Sequence, residues 1–250
     1  MDLRLDGKTA LVTGASSGLG WRFAIVLAQA GARVAIAARR TDRLEALARE
    51  IESAGGQAHA VAIDVTDVAS VRAGVAAAQA ALGSLDIVVN NSGVSVTRHA
   101  SEVEETDYDF VMDTNAKGAF FVAQAAGRAM IAAKRPGRII NIASAAGLRV
   151  LGQISVYCMS KAAMIHMTRA LALEWGRYGI NVNALCPGYI ETELNRDYWQ
   201  SDGGRKLVGM LPRRRLGKPE DLDGLLLLLA SDRSGFVNGA VIAADDGLTV

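Results

Sequence analysis

The sequence predicts an α/β protein built on a doubly wound parallel sheet, and two features of its pattern carry that prediction. Short apolar runs recur along the 250 residues, each followed by a stretch with helical periodicity. The runs are nearly continuous in Val, Ile and Ala, which is typical of parallel strands covered by helices on both faces. Strand and helix in alternation imply right-handed crossovers. The seven predicted strands are residues 9–13, 34–38, 58–63, 87–90, 138–142, 182–186 and 241–244.

Helices are predicted between these strands. Residues 42–53 and 67–82 carry helical periodicity, and each segment starts with an aspartate that can accept hydrogen bonds from exposed backbone amides. Residues 155–177 also read as a helix. These segments supply crossover connections of the length that parallel strands need.

Residues 188–219 fit neither pattern. They place Tyr, Trp, Met and Leu side chains among polar ones without a clear period. An irregular stretch of this length is often functional, so we expect a partly mobile segment of loop and helix that covers the substrate. The chain has no internal repeat and no linker rich in Pro, Gly or Ser, which predicts a single domain over residues 1–250.

Composition excludes several classes of protein. Lys and Arg number 27 against 26 Asp and Glu, a formal net charge of +1, so no global field would attract nucleic acid or an anionic membrane. The leucine run 225–229 is far too short to span a bilayer. Cys158 and Cys186 make no disulfide framework, and residues 1–7 lack the apolar core of a signal peptide. We therefore expect a cytoplasmic protein with two buried thiols, no membrane or nucleic-acid partner and no metal site.

A glycine-rich turn follows the first predicted strand. Residues 13–20 read Thr-Gly-Ala-Ser-Ser-Gly-Leu-Gly and enter a helix near Leu19. The spacing of Gly14, Gly18 and Gly20 departs from the Gly-x-Gly-x-x-Gly fingerprint. Glycines here still permit a tight turn and the close approach of a phosphate to a helix N-terminus. Taken alone, the turn fits a dinucleotide site and an ordinary strand-to-helix connection equally well.

The end of the second predicted strand favours a phosphorylated ribose. It reads Ala37-Ala38-Arg39-Arg40, with no carboxylate before Asp42. A carboxylate here would accept hydrogen bonds from a free 2′-hydroxyl, whereas a guanidinium pairs with a 2′-phosphate. Arg39 therefore favours NADP(H), with NAD(H) possible. The alternative is that both arginines are surface residues at the start of a solvated helix.

Four residues form a candidate catalytic set. Tyr157 and Lys161 are one helical turn apart, so both lie on one face, and the ammonium is expected to lower the pKa of the phenol. The pair would then serve as a general acid and base. Ser144 follows a predicted strand and could hold a substrate oxygen, although a turn serine is the alternative. Asn115 interrupts a helical stretch and could bind a water that carries protons to Lys161.

Together these motifs resemble the short-chain dehydrogenase/reductase family, and the resemblance spans residues 5–247. Ser92 departs from the pattern where alanine is commoner, and Trp21 is unusually bulky for the start of the first helix. Neither change removes a chemical group. The matching positions are residues 13–20, Asp64 and Val65, residues 90–93, Asn115, Ser144, Tyr157 with Lys161, and residues 187–192.

The resemblance implies a Rossmann-like single domain, with seven mainly parallel strands and helices on both faces, that binds a dinucleotide and catalyses hydride transfer. It also implies a homotetramer of two-fold symmetry, or a homodimer, with the helices of Asn115 and Tyr157 at an interface. The implied cofactor contacts are Gly14, Ser16, Ser17 and Leu19 at the pyrophosphate, Asp64 and Val65 at the adenine, Asn91 and Gly93 beside the cofactor, Lys161 at the nicotinamide ribose, and Ile190 and Thr192 at the carboxamide. Gly18, Gly20, Arg39, Tyr157, Pro187 and Gly188 complete the predicted cofactor site.

Three functions remain open from the sequence. The first is an NADP(H)-dependent carbonyl reductase, with 3-oxoacyl thioesters among its possible substrates. The second is an NAD(H)-dependent dehydrogenase of a polyol, sugar acid or sterol. The third, a non-catalytic dinucleotide-binding sensor, is disfavoured because all four catalytic residues are retained. The predicted substrate pocket is mostly apolar and fits an uncharged small-molecule carbonyl or alcohol; its lining is Val94, Ser95, Ala145, Leu148, Ile154, Tyr189, Tyr198 and Trp199.

Overall fold

The computed structural model describes residues 3–250, so Met1 and Asp2, which open the N-terminal stretch considered above, lie outside the described residues. Seven parallel strands form one sheet in the order β3-β2-β1-β4-β5-β6-β7. The predicted α/β doubly wound fold is confirmed. The strands are β1 Thr9–Thr13, β2 Arg33–Ala38, β3 Gln57–Ala62, β4 Ile87–Asn90, β5 Gly137–Ile142, β6 Ile180–Pro187 and β7 Val241–Ala244.

Helices pack on both faces of this sheet. The first helix begins at Gly18, inside the glycine turn, and the helix that carries Tyr157 ends at Trp175, two residues earlier than predicted. Residues 188–219, predicted as a segment of loop and helix, contain two short helices. The helices are α1 Gly18–Gln29, α2 Thr41–Ser53, α3 Val68–Leu82, α4 Glu105–Met112, α5 Ala119–Ala132, α6 Ser155–Trp175, α7 Arg196–Gln200, α8 Asp202–Met210 and α9 Asp223–Ala230.

Strand β6 extends beyond its predicted bounds because the polar side chains within it have hydrogen-bond partners. Asn181 Nδ2 donates to the carbonyl oxygens of Ser234, Gly235 and Val237 at 2.9–3.1 Å. Asn183 Nδ2 donates to the carbonyl oxygen of Val237 at 2.9 Å. A buried amide with its hydrogen bonds made costs little in a strand. These contacts also hold the connection that leads into β7.

Two apolar layers, one on each face of the sheet, form the core. Phe23 and Leu27 of α1 pack on one face with the leucines of α9, where Leu226 and Leu229 are buried. Val122 of α5 belongs to the cluster on the other face. The leucine run thus lies on a helix whose buried face includes Leu226 and Leu229. No helix within residues 3–250 is both long and apolar enough to cross a membrane.

The strand order places a binding crevice at one edge of the molecule. Successive connections run in opposite directions from β1, so that β2 and β3 lie on one side of it and β4 to β7 on the other. In open α/β sheets, ligands bind outside the carboxyl ends of the strands at this reversal. The glycine turn follows β1, and the segment with Asn91 and Gly93 follows β4.

Candidate active site

A cleft of about 980 Å³ opens at the carboxyl ends of the strands, and nearly all predicted site residues line it. Two of the predicted catalytic and cofactor residues do not. Asn115 is fully buried behind the wall, and Gly20 is packed beneath the glycine turn. Leu148 was wrongly predicted as lining, since it follows a short 3₁₀ turn and is 44% exposed outside the cleft. The predicted residues that line the cleft are Gly14, Ser16, Ser17, Gly18, Leu19, Arg39, Asp64, Val65, Asn91, Gly93, Ser144, Tyr157, Lys161, Pro187, Gly188, Ile190 and Thr192.

Close packing explains two of the three glycines in the turn. Gly14 has φ +65°, and a Cβ built on it would lie 2.9 Å from Asn91 Nδ2. A Cβ at Gly20 would lie 2.3 Å from the Gly14 carbonyl oxygen. Such distances exclude any side chain, so the turn can fold tightly only with glycine. The N-terminus of α1, with Ser17, Gly18 and Leu19, lines the cleft, and a helix N-terminus can bind a phosphate.

Asn91, which directly follows β4, is hydrogen-bonded to the glycine turn. Its Nδ2 donates to the carbonyl oxygens of Thr13 and Gly14 at 3.1 and 3.3 Å, and its backbone N–H donates to Thr13 Oγ1 at 3.1 Å. Ser92 N–H also donates to Thr13 Oγ1. The contact uses only the backbone of Ser92, so serine serves there as well as alanine.

Arg40 and Arg43 contact the glycine turn, and sequence reasoning assigned neither to the site. Arg40 donates to Ser16 Oγ and Ser17 Oγ at 3.0 and 3.1 Å. Arg43 lies near the Ser16 carbonyl oxygen and 4.9 Å from the centre of the Trp21 ring. The signal that could have found Arg43 is its position in the first turn of α2, on the side that faces α1.

Arg39 and Asp64 lie at the β2–β3 side of the cleft. Burial raises the pKa of Asp64, but hydrogen bonds from Thr66 and the charge of Arg39 outweigh it, so this pKa lies below its usual value. Asp64 Oδ1 accepts from the Thr66 amide and hydroxyl at 3.0 and 2.8 Å. This side of the cleft carries exposed guanidinium groups on Arg39 and Arg40 together with an ionised carboxylate.

Ser144, Tyr157 and Lys161 meet at the other side. Ser144 Oγ caps a 3₁₀ turn by accepting from Ala146 N–H at 3.1 Å. A Cβ at Gly147 would lie 2.8 Å from the Lys161 carbonyl carbon, so glycine lets this turn lie directly on α6. Lys161 Nζ donates to the Ile142 carbonyl oxygen at 2.8 Å and lies 5.7 Å from the centre of the Tyr157 ring.

Asn115 ties α6 to the segment after β4. It lies in a π-helical stretch, Asp113–Gly118, which interrupts the path from α4 to α5. Its amide exchanges two 2.8 Å hydrogen bonds with the Val94 backbone and donates to Ser160 Oγ at 2.9 Å. Ser160 Oγ in turn donates to the Tyr157 carbonyl oxygen. The expected helix interruption is present, and it supports the helix that carries Tyr157.

Burial favours the neutral form of both titrating residues. It lowers the pKa of Lys161 to about 8 and raises the pKa of Tyr157, against a hydrogen bond with Ser144 that lowers it. Contrary to the prediction, the pKa of the phenol is raised rather than lowered, because burial outweighs the contacts that would lower it. Pairs of perturbed groups in a cleft are typical of acid–base sites.

Residues 188–219 form an aromatic wall. The Trp199 ring makes edge contacts with Tyr189 and Tyr198, with centroids 5.3 and 4.9 Å apart. All three side chains line the cleft, as predicted, with Leu194 and Leu207 of the same segment.

The strand order, the glycine turn and the Tyr157–Lys161 pair define a nicotinamide-dependent oxidoreductase site, and the comparisons agree. The family model described as enoyl-(acyl carrier protein) reductase matches residues 14–249. D-threitol dehydrogenase of Mycolicibacterium smegmatis is 38% identical over 249 residues, covering 100% of this chain and 95% of that protein. Sorbitol dehydrogenase of Cereibacter sphaeroides is 40% identical over 255 residues, with 98% of each covered.

Solved structures give the same answer. A gluconate 5-dehydrogenase from Burkholderia cenocepacia, in complex with NADP and tartrate, superposes with a TM-score of 0.94 at 38% identity and covers 99% of this chain and 97% of that one. The chain belongs to the short-chain dehydrogenase/reductase family. It is an NAD(P)-dependent dehydrogenase or reductase that acts on CH–OH groups.

Proposed function

We propose that this protein is an NADP(H)-preferring oxidoreductase that interconverts an uncharged polyol and its ketone. The charge distribution of the cleft carries the proposal. Among residues 3–250, the charged side chains that line it are Arg39, Arg40, Asp64 and Lys161. The first three lie on the β2–β3 side, and Lys161 Nζ is held by a backbone carbonyl. The part of the cleft away from β2 and β3, where we place the substrate, therefore offers no free cation that could bind a carboxylate.

The neutral groups on that side suit a hydroxylated substrate. Ser95, Thr97 and Gln153 line the cleft with uncharged hydrogen-bonding groups. The wall of Tyr189, Tyr198 and Trp199 offers apolar faces for the carbon skeleton. This argument favours the neutral polyols named for the threitol and sorbitol dehydrogenases over the acid named for the gluconate enzyme. The same argument favours the polyol alternative over the carbonyl-reductase hypothesis.

We propose NADP(H) because Arg39 and Arg40 leave two guanidinium groups near the expected ribose, with no acidic residue at the end of β2. The dinucleotide fits this site: the α1 N-terminus would take the pyrophosphate, Asp64 and Val65 the adenine, and Ile190 and Thr192 the carboxamide. When bound, the nicotinamide supplies or accepts a hydride. The solved relative in complex with NADP supports the same preference.

The proposed proton chemistry uses this chain's own groups. During ketone reduction, Ser144 holds the substrate oxygen and Tyr157 donates its hydroxyl proton to that oxygen. The Lys161 ammonium offsets the negative charge left on the phenolate. Asn115 holds α6 in register and is proposed to bind the water that relays protons to Lys161. Oxidation runs the same steps in reverse.

The deciding experiment follows NADPH and NADH by absorbance with paired substrates. The pairs are sorbitol with gluconate and threitol with threonate in the oxidative direction, and the matching ketones in the reductive one. We expect turnover with the neutral member of each pair and with NADP(H). Faster turnover of the acids, or of aryl ketones and oxoacyl thioesters alone, contradicts the substrate class.

Two arginine variants test the cofactor. Arg39→Ala should raise KM for NADPH by about tenfold and leave KM for NADH nearly unchanged, because only NADPH carries the 2′-phosphate. Arg40→Ala should raise KM for both cofactors, and more for NADPH, because Arg40 also donates to Ser16 and Ser17 of the glycine turn. Arg49→Ala, far along α2, is the matched control. Equal effects of Arg39→Ala on both cofactors would contradict the assignment. Binding of dinucleotide without turnover of any substrate would instead support the sensor hypothesis.

We also propose a cytoplasmic homotetramer, with a homodimer as the smaller alternative. Cys158 and Cys186 are both free thiols and buried, which suits a reducing compartment. Exposed apolar side chains on α4, α5 and α6 favour assembly. They include Phe110, Phe120, Met159 and Leu173.

A further inference from the structure

Glu193 brings a carboxylate from residues 188–219 onto the glycine turn. Its Oε1 accepts a 2.8 Å hydrogen bond from Gly18 N–H, across 175 positions of sequence. Gly18 is the first residue of α1, and its amide is one of those that the turn presents to the cleft. No sequence motif pointed to Glu193.

Helix α1 supplies no cap of its own. Its N-cap residue, Ser17, makes no side-chain capping bond, and the first turn contains no acidic residue. The positive end of a helix favours an anion, and a carboxylate is the protein group that most resembles a phosphate in charge and acceptor geometry. Glu193 therefore places a negatively charged hydrogen-bond acceptor at the N-terminus of α1, as a dinucleotide pyrophosphate would.

The surrounding contacts bring this segment against the turn. A Cβ at Gly18 would lie 3.7 Å from side-chain carbons of both Thr192 and Leu194. The Glu193 carboxylate makes no second hydrogen bond or ion pair within residues 3–250. Trp199, in the following helix, buries its indole Nε1 without an acceptor. A buried donor without an acceptor is costly. A different position of residues 188–219 could therefore give the Trp199 indole the hydrogen bond that it lacks here.

We propose that Glu193 competes with the cofactor pyrophosphate for the N-terminus of α1. This proposal rests on the proposed dinucleotide cofactor. Binding of the dinucleotide displaces the carboxylate, because two anions cannot share the Gly18 amide without repulsion. Residues 188–219 then shift with Glu193. As the pyrophosphate leaves Gly18, the carboxylate takes its place and opposes rebinding of the cofactor.

The test measures dissociation constants for NADPH and NADH by calorimetry. Glu193→Gln keeps an acceptor oxygen but removes the charge, and Glu193→Ala removes both. We expect dinucleotide binding to tighten by about fivefold in the first variant and tenfold or more in the second. Glu191→Gln is the matched control, because Glu191 pairs with Arg196 at 3.3 Å on the exposed side of the same segment. It should change binding by less than twofold.

Adenosine 2′-monophosphate separates local competition from a general charge effect. It reaches the Arg39 side but has no pyrophosphate, so its affinity should be the same in wild type and in both Glu193 variants. Unchanged or weaker dinucleotide binding in those variants, or an equal gain in Glu191→Gln, overturns the proposal while leaving the cofactor assignment intact. A wild-type protein that binds neither dinucleotide overturns both.

Discussion

Tyr157 and Lys161 are placed by their neighbours so that each holds a proton at neutral pH. Burial raises the pKa of Tyr157, so the phenol is protonated and ready to donate. Burial also lowers the pKa of Lys161 to about 8, which still leaves the amine mainly charged at pH 7. We therefore expect reduction to be favoured near neutrality, and oxidation to become faster as the pH rises and the phenol loses its proton.

Replacing Tyr157 with phenylalanine tests the proton donor. The variant keeps the ring and loses only the hydroxyl, so we expect turnover to fall by about 10²-fold to 10⁴-fold with dinucleotide affinity within about threefold of wild type. Single-turnover kinetics and calorimetry measure the two quantities separately. A variant with near-wild-type turnover would remove Tyr157 from the acid–base role.

The lowered pKa of Lys161 predicts how stability depends on pH. Between pH 8 and the ordinary value of 10.5, the unfolded chain holds a proton on this lysine that the folded protein has lost. The contribution of Lys161 to the free energy of unfolding therefore rises with pH across that window, by about 3 kcal/mol in total. Below pH 8 this contribution is at its lowest. Lys161→Met removes the titration.

The measurement is urea unfolding of wild type and Lys161→Met at several pH values from 7 to 10.5. Other groups titrate in both proteins, so the difference in unfolding free energy isolates Lys161. We expect wild type to gain relative to the variant as the pH rises. A difference that stays flat with pH would contradict a lowered pKa.

At the scale of elements, the glycine turn depends on contact between its two ends. Gly20→Ala would place a methyl group against the Gly14 carbonyl oxygen, so the turn must open and the α1 amides must move. We expect dinucleotide affinity to fall at least tenfold and the midpoint of thermal unfolding to drop. Differential scanning fluorimetry with and without NADPH measures both effects.

Gly224→Ala is the control for the glycine substitution. Gly224 lies in α9 with open space around its Cβ position, and alanine is the better helix former. This variant should keep its affinity and be slightly more stable than wild type. Equal losses in the two variants would show that Gly20 has no special packing role.

The elements that sequence predicts well are those with local causes. Strands such as β1 and β4 follow from continuous apolar runs, and the Tyr157–Lys161 pairing follows from helical spacing alone. The contacts made by Arg40, Gly147 and Glu193 depend on which segments the fold brings together. Their residue types are ordinary for loops and helix ends, so no local pattern marks them. The direction of the Tyr157 pKa shift was predicted wrongly for the same reason, because its largest cause is burial in the folded protein, which spacing along one helix does not reveal.

At the scale of the whole molecule, the outer face of α5 and α6 predicts assembly. A surface groove of about 410 Å³ runs between these helices. Exposed apolar patches on a protein are typical of surfaces that contact another protein chain. The groove is lined by Phe120, Gln124, Arg128, Ile131, Met167, Ala170, Leu171, Glu174 and Trp175.

Ala170→Glu tests this surface without removing any packing. Ala170 is exposed in the groove, so a glutamate there leaves the fold of one chain intact but buries a charge in any helix-to-helix interface. Ala76→Glu, on the exposed face of α3, is the matched control. We expect sedimentation to show a tetramer for wild type and the control, and a dimer or monomer for Ala170→Glu. The dissociated variant should still bind NADPH, because all the proposed cofactor contacts lie within one chain. A wild-type monomer, or a tetramer that survives the glutamate, would place any assembly on another surface.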